Sequence, residues 1–234
     1  MTIGKVAIGR VLVSGGATGL GAAVCDAVAA AGGSPGVLDL NPPAVAGLPW
    51  AKADVTDNGE VEAGVRRVAE QLGGLDAVVT TAGVDRPGRL ADVAADDWER
   101  VVRVNLLGTA SVVRSALPFL AESANGHVVT VASTLGLRAL SDATAYCAAK
   151  FGVVGFTRAL AAELQGRTGV TMLIPGGMRT GFFDGRDEQY KPGPDAHLND
   201  PREVAEAVVF ALSRPAACAV RELVVCPDVE PSWP

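Results

Sequence analysis

The sequence predicts an α/β fold: a doubly wound parallel sheet of about seven strands, flanked by helices, in a single domain over residues 1–234. Three observations carry this expectation. Short β-branched apolar runs alternate with long amphipathic stretches, which is how the strands and crossover helices of βαβ units read. Hydrophobic residues make up 49% of the 234, ample for a core, and no internal repeat or Pro/Ser-rich linker divides the chain. The first apolar run ends in a glycine cluster that opens at once into a helical stretch.

Taken in chain order, Arg10 to Ser14 reads as the first strand, because Val11, Leu12 and Val13 form a short apolar run closed by glycines, and Gly19 to Ala31 as the helix behind it. Gly36 to Leu40 and Trp50 to Ala53 follow as strands, separated by the proline-bearing segment Asn41 to Pro49. Glu60 to Leu72 has helical periodicity, Ala77 to Thr81 is the next apolar strand, and Asp97 to Phe119 reads as one long helix. His127 to Ala132 and Val170 to Ile174 are β-branched strands on either side of the helix Ala143 to Gln165. Pro201 to Leu212 has the clearest start, since Asp200 can cap free N–H groups and a proline at the first helical position loses no bond. Glu222 to Cys226 closes the sheet. Met178 to Asn199, rich in Gly, Pro and charge, is long for a loop in a compact domain and is the candidate lid.

Composition narrows the function classes. A net charge of −6 with no Lys/Arg-rich run, and 5% aromatic residues, argue against nucleic acid as partner. No uninterrupted apolar stretch of about 18 residues occurs, so no membrane span is expected. Met1 to Ser14 shows no charged leader with an apolar run and cleavage site, and Cys25, Cys147, Cys218 and Cys226 have no C-x-x-C spacing; together these point to a cytoplasmic protein with reduced thiols. His127 and His197 share no helical spacing with a carboxylate, so no metal site is expected.

The glycine cluster Ser14-Gly15-Gly16-Ala17-Thr18-Gly19-Leu20-Gly21 has the strand–turn–helix context of a dinucleotide site. Gly15, Gly19 and Gly21 let the backbone turn sharply and approach a diphosphate, which the N–H groups of the following helix would face. Asp39 ends the second strand 18 residues after Gly21. Its carboxylate could accept both hydrogen bonds of an adenosine ribose diol and would repel a 2′-phosphate; with Leu40, Asn41 and Pro42 following and no Lys or Arg beside it, NAD is favoured over NADP. Asp39 could instead merely open the turn at Asn41-Pro42. Asp54 and Val55 end the third strand, where they could flank an adenine ring, or Asp54 or Thr56 could cap the next helix.

Tyr146 and Lys150 lie four residues apart on one helix face, and an ammonium near a phenol stabilises the phenolate, bringing a poor base toward working range. The same spacing also occurs on plain solvated faces. Ser133 ends a strand 13 residues earlier, and in a doubly wound sheet strand carboxyl ends and the following helices converge on one crevice, so Ser133 and Tyr146 could reach one substrate oxygen.

On these residues the chain resembles the classical short-chain dehydrogenases/reductases along nearly its whole length. The matching positions are the turn with Gly15, Gly19 and Gly21, Thr80-Thr81-Ala82-Gly83, Asn105 in Val104-Asn105-Leu106-Leu107-Gly108, Ser133 with Gly136, Tyr146-x-x-x-Lys150, and Pro175-Gly176 with Thr180. The resemblance implies a Rossmann-type fold and a nicotinamide cofactor, NAD or NADP. It implies Tyr146 as the general acid/base, Lys150 lowering its pKa and binding the nicotinamide ribose, and Ser133 orienting the substrate oxygen. It further implies that Asn105 interrupts its helix and holds a water, and that Pro175, Gly176 and Thr180 face the nicotinamide. The catalytic set is thus Asn105, Ser133, Tyr146 and Lys150. Gly15, Thr18, Gly19, Leu20, Gly21, Asp39, Leu40, Asp54, Val55, Ala82, Gly83, Pro175, Gly176 and Thr180 join Tyr146 and Lys150 at the cofactor. The chain departs from the family in Thr80-Thr81, where two Asn are usual, and in its ending, Pro227 to Pro234, a tail that could reach a neighbouring subunit, close the pocket or be disordered.

Pocket walls are expected from Ser133, Leu135, Leu137, Tyr146, Gly177, Met178 and the lid aromatics Phe182, Phe183 and Tyr190, suiting a small, partly apolar alcohol or ketone; these aromatics could instead only anchor the lid. The resemblance also implies a homodimer or homotetramer built on the two longest helices. A catalytically silent nucleotide-binding regulator on the same fold is the alternative from another class. It is disfavoured because neither Tyr146 nor Lys150 is lost; an epimerase or dehydratase is disfavoured because extended relatives of that kind carry a larger C-terminal region.

Overall fold

A computed structural model describes residues 6–215 and 218–233 of the chain; Met1 to Lys5, part of the leader reading, and Pro234, the end of the tail, lie outside the described residues. Seven strands form one sheet in the order β3-β2-β1-β4-β5-β6-β7, every pair parallel. They are β1 (Arg10–Ser14), β2 (Ser34–Asp39), β3 (Trp50–Lys52), β4 (Ala77–Thr80), β5 (His127–Val131), β6 (Gly169–Pro175) and β7 (Glu222–Val225). The helices are α1 (Gly19–Ala30), α2 (Asn58–Leu72), α3 (Ala95–Val102), α4 (Thr109–Ala121), α5 (Thr144–Glu163) and α6 (Pro201–Leu212).

Parallel strands need both faces covered, which is why β1, β4 and β5 are buried nearly end to end and do not alternate between buried and exposed positions. Leu20, Val24 and Val28 of α1 and Val204, Val208 and Leu212 of α6 cover one face. Val61, Val65 and Val68 of α2, Val112, Val113, Ala116 and Leu120 of α4, and Leu160 of α5 cover the other. The chain runs outward from β1 to β3, then returns to place β4 on the far side of β1. The helices diverge at this reversal, and a crevice opens at the strand carboxyl ends.

Two expectations change. The helix expected over Asp97 to Phe119 is two helices joined by a π-helical turn, Arg103–Gly108, which contains the Asn105 that the resemblance expected to interrupt it. The Asn105 amide donates to Val101 O at 2.8 Å and to Val84 O at 2.7 Å, and Thr109 Oγ1 donates to Asn105 O at 2.8 Å, so side chains take carbonyls that an α-helical ladder would have used. The run Ala95–Ala121 is long and apolar enough to cross a membrane, with half of its most apolar window buried inside the protein. The cap of α2 is neither Asp54 nor Thr56 but Asp57, whose carboxylate accepts the N–H groups of Gly59 and Glu60; Asp54 turns back onto Thr56. At α6 the expected cap is present, Asp200 accepting from Arg202 N–H.

Candidate active site

A cleft of about 1120 Å³ follows the strand carboxyl ends, more than a small substrate alone would need and room for a dinucleotide beside it. The structure brings all the sequence-selected cofactor, catalytic and substrate residues to its walls, from Gly15 at one end to Phe183 at the other. Of the wall residues expected beyond these, Phe182 and Tyr190 line it, whereas Leu137 turns away to pack with Ala132, Val153 and Met172.

At the glycine end the backbone does the shaping. Gly15 has φ +73°, and a Cβ there would press into the backbone of Ala82 at 2.6 Å; a Cβ on Gly21 would collide with the carbonyl of Gly15. The α1 N-terminus carries no capping side chain and no acidic residue in its first turn, so its N–H groups stay open to an anionic ligand. These features fit a dinucleotide diphosphate. Thr81, where the family has an amide, keeps the turn closed by donating its hydroxyl to Ser14 O at 2.7 Å. Asp39 does two things at once: Oδ2 accepts from Ala17 N–H at 3.1 Å and Oδ1 from Asn41 N–H at 3.0 Å, so the turn at Asn41 forms while the carboxylate stays in the cleft wall. Arg100, which the sequence reading did not place here, lines the same end and helps hold the Asp54 carboxyl below its ordinary range, after the larger effect of the Thr56 hydrogen bonds.

At the other end β5 delivers Ser133 and α5 delivers Tyr146 and Lys150. Ser133 is extended, with Oγ accepting Leu135 N–H at 3.1 Å, which leaves its own hydrogen free to donate. Burial pushes the Tyr146 phenol above its ordinary range and Asp85 adds to this; the facing Ser133 hydroxyl and Arg186 draw it back. The Lys150 ammonium donates to Val131 O at 2.9 Å and lies 5.5 Å from the centre of the Tyr146 ring. Its own pKa is brought down by burial to about 8. Burial is the largest influence on the phenol in the protein by itself, and it favours the protonated form. Asn105, fully buried by the π turn, leaves Oδ1 without a partner among the described residues, beside Gly83. A water acceptor is therefore in place at that point.

Two further walls complete the cleft, one of them absent from the sequence reading and the other, the tail, among its alternatives. Asp85, on the loop after β4, pairs with Arg186 of the lid at 2.7 Å, and the side chains are 5% and 15% exposed. The guanidinium also lies 5.0 Å and 4.6 Å from the ring centres of Phe182 and Phe183, and Phe182 packs on Tyr146 at 5.7 Å. The lid aromatics thus both line the cleft and anchor the lid. The lid base is pinned by Arg179 N–H to Asn199 O and Asn199 N–H to Gly177 O, each 2.9 Å. The tail forms the second wall, with Glu230, Pro231 and Ser232 reaching the cleft of their own chain. The 101-residue separation of Asp85 and Arg186 carries no local signal. The histidines lie elsewhere: His127 is buried at the start of β5, donating from Nε2 to Thr171 Oγ1 at 2.8 Å, and His197 lies 3.5 Å from Asp228.

Known proteins share this architecture. The family model described as short chain dehydrogenase matches residues 9–191. An uncharacterized oxidoreductase of Staphylococcus aureus strain MW2 is 35% identical over 176 residues, 74% of each chain. The glycine betaine reductase ATRR of Emericella nidulans is 31% identical over 97% of this chain, which spans 19% of that longer protein. Among solved structures, a single-substitution variant of actinorhodin polyketide ketoreductase with NADPH superposes with a TM-score of 0.83 at 28% identity, covering 93% of this chain and 95% of that one. With the fold, the glycine turn and the Ser133–Tyr146–Lys150 corner in one cleft, these matches establish that the chain belongs to the short chain dehydrogenase family of oxidoreductases.

Proposed function

We propose that this oxidoreductase moves a hydride between a nicotinamide cofactor, NAD in preference to NADP, and a small, partly apolar alcohol or ketone. The observation that carries this reading is the corner where Ser133, Tyr146 and Lys150 meet at the end of a cleft whose other end suits a dinucleotide. When bound, the nicotinamide supplies or accepts the hydride. The chain's own residues handle the oxygen. The Tyr146 phenol, protonated at neutral pH and kept so by burial, is positioned to hand its proton to a carbonyl oxygen, and as the phenolate it would take one from an alcohol in the reverse direction. Ser133 donates to the same oxygen and stabilises charge developing there. Lys150, whose pKa of about 8 lies near neutrality, and a water on Asn105 Oδ1 would replace the proton from solvent. Leu135, Met178, Phe182 and Phe183 supply the apolar walls that suit a small hydrophobic group.

The preference for NAD rests on the Asp39 carboxylate at the β2 tip, which would repel a 2′-phosphate. Carbonyl reduction is supported by the reductase and ketoreductase among the similar proteins. Leu107 and Phe151 are 57% and 44% exposed on the face shared by the π turn and α5, which supports a homodimer or homotetramer formed there. The four free cysteines support a reducing, cytoplasmic setting, and the acidic charge supports a small-molecule partner over nucleic acid. The reading is tested by incubating the full chain with NAD or NADP, oxidised or reduced, and a panel of short-chain ketones and alcohols, while following the near-ultraviolet absorbance of the reduced cofactor. Turnover with apolar members of the panel, faster with NAD, is expected. Nucleotide binding with no turnover on any member would favour the silent regulator.

A further inference from the structure

The C-terminal tail brings a carboxylate into the reacting end of the cleft. Gly176 N–H and the Asn199 amide both donate to Val225 O, at 3.0 Å and 2.9 Å, and fix where the tail leaves β7. Glu230 then turns back. Its Oε2 accepts from Gly177 N–H at 3.1 Å, and its Oε1 accepts from Ser232 N–H at 3.0 Å and from Ser232 Oγ at 2.6 Å. Ser232 Oγ is also 2.6 Å from Thr134 Oγ1, next to Ser133, so Thr134 donates to Ser232 and Ser232 to the carboxylate. Arg138 holds the tail by its backbone, donating to the carbonyls of Pro231 and Trp233 at 3.1 Å and 3.3 Å. A Cβ on Gly176 would run into the Glu230 carboxylate, so the bare glycine is what lets it lie against that backbone.

All of these partners are neutral. No ion pair joins Glu230 among the described residues, whereas Asp85 is paired with Arg186, Lys191 with Glu188, and Lys150 is held on Val131 O; Asp142 is the other carboxylate of this end without an ion pair among the described residues, on the loop before α5. The oxidised nicotinamide ring carries a positive charge that the reduced ring lacks. To exchange a hydride with a carbon whose oxygen Ser133 and Tyr146 hold, that ring must occupy the end of the cleft that Glu230 borders. We infer that Glu230 is a specificity-determining residue for the redox form of the cofactor, its fixed carboxylate favouring the oxidised, cationic nicotinamide over the reduced, neutral one. The inference rests on the nicotinamide reading above, and it concerns which form the protein holds more tightly, not whether the protein turns over.

The test needs no substrate. NAD⁺ and NADH, and in parallel NADP⁺ and NADPH, are titrated into the full chain by calorimetry, and the ratio of the reduced to the oxidised dissociation constant is compared between variants. Glu230→Gln keeps the side-chain shape and is expected to lower that ratio about fivefold, the scale of one unit charge acting across several ångströms near a protein surface. Glu122→Gln removes a charge at the far end of α4 and is expected to leave the ratio within about twofold of the wild type. An unchanged ratio in Glu230→Gln overturns the inference, whether the two affinities stay the same or weaken together. A fall as large in Glu122→Gln as in Glu230→Gln overturns it as well, because net charge and not the place of the carboxylate would then be the cause. A wild type that binds neither couple would defeat the nicotinamide reading itself.

Discussion

The two edges of the sheet use the same residue types for opposite ends. At the amino edge, Arg10 and Asp76 form a paired fork, Nε to Oδ2 at 2.8 Å and Nη2 to Oδ1 at 2.9 Å, and Ser123 Oγ adds a third donor at 2.7 Å. His127 there is buried neutral on Thr171, itself donating to Val220 O. At the carboxyl edge, Asn105 Oδ1 and Arg186 Nε are buried without partners, and the phenol of Tyr146 and the ammonium of Lys150 are moved off their ordinary values in the directions that suppress charge. Desolvation acts at both edges. At the amino edge the Arg10–Asp76 pair and His127 are met by neighbours, and of the buried side-chain groups there only Arg214 Nε lacks a partner among the described residues; at the carboxyl edge the unpartnered groups that line the cleft belong to Asn105 and Arg186.

This comparison is open to test at each edge. The largest effect on stability is expected from His127, which burial brings down to about 4 from its ordinary 6.5. As the pH falls below about 6.5 the unfolded chain takes up the proton first. Stability is therefore full above that pH and declines toward pH 4, by about 3 kcal/mol at most. Urea unfolding at stepped pH should show this decline in the wild type and a flatter curve in His127→Gln; equal slopes would remove His127 from the account. The smaller effect lies in the cleft. Asp39→Ala is expected to lower the preference for NAD over NADP about tenfold, about 1.4 kcal/mol, with little change in unfolding midpoint. A preserved ratio with a lowered midpoint would leave Asp39 as scaffold for the Ala17 and Asn41 N–H groups alone.

What was legible in the sequence follows from the range of the interactions. Strands, the glycine turn and the start of α6 depend on neighbours in the chain, so Val11 to Val13, Gly15 to Gly21 and Asp200-Pro201 could be read directly. Ser133, Tyr146 and Lys150 could be placed together because a parallel sheet sends strand ends and helix starts to one crevice. The π turn was hidden from periodicity, since apolar residues continue through Val101 to Leu107 and the break depends on Asn105 finding Val84 O, 21 residues away; only the family resemblance pointed to Asn105 as the interruption. Asp57 displaced Asp54 as the cap of α2 because Asp54 was already engaged by Thr56. The substrate end was least legible: Asp85 with Arg186, and Glu230 with Gly177, meet only in the folded chain.

The central claim is that the carboxyl-edge cleft is a working oxidoreductase site with Tyr146 as its acid and base. The most direct measurement compares wild type and Tyr146→Phe for both cofactor binding and turnover on the best substrate of the ketone and alcohol panel. Loss of the phenol hydroxyl should lower turnover by at least about a hundredfold while the cofactor dissociation constant changes by less than about threefold. Turnover retained in Tyr146→Phe would contradict the account.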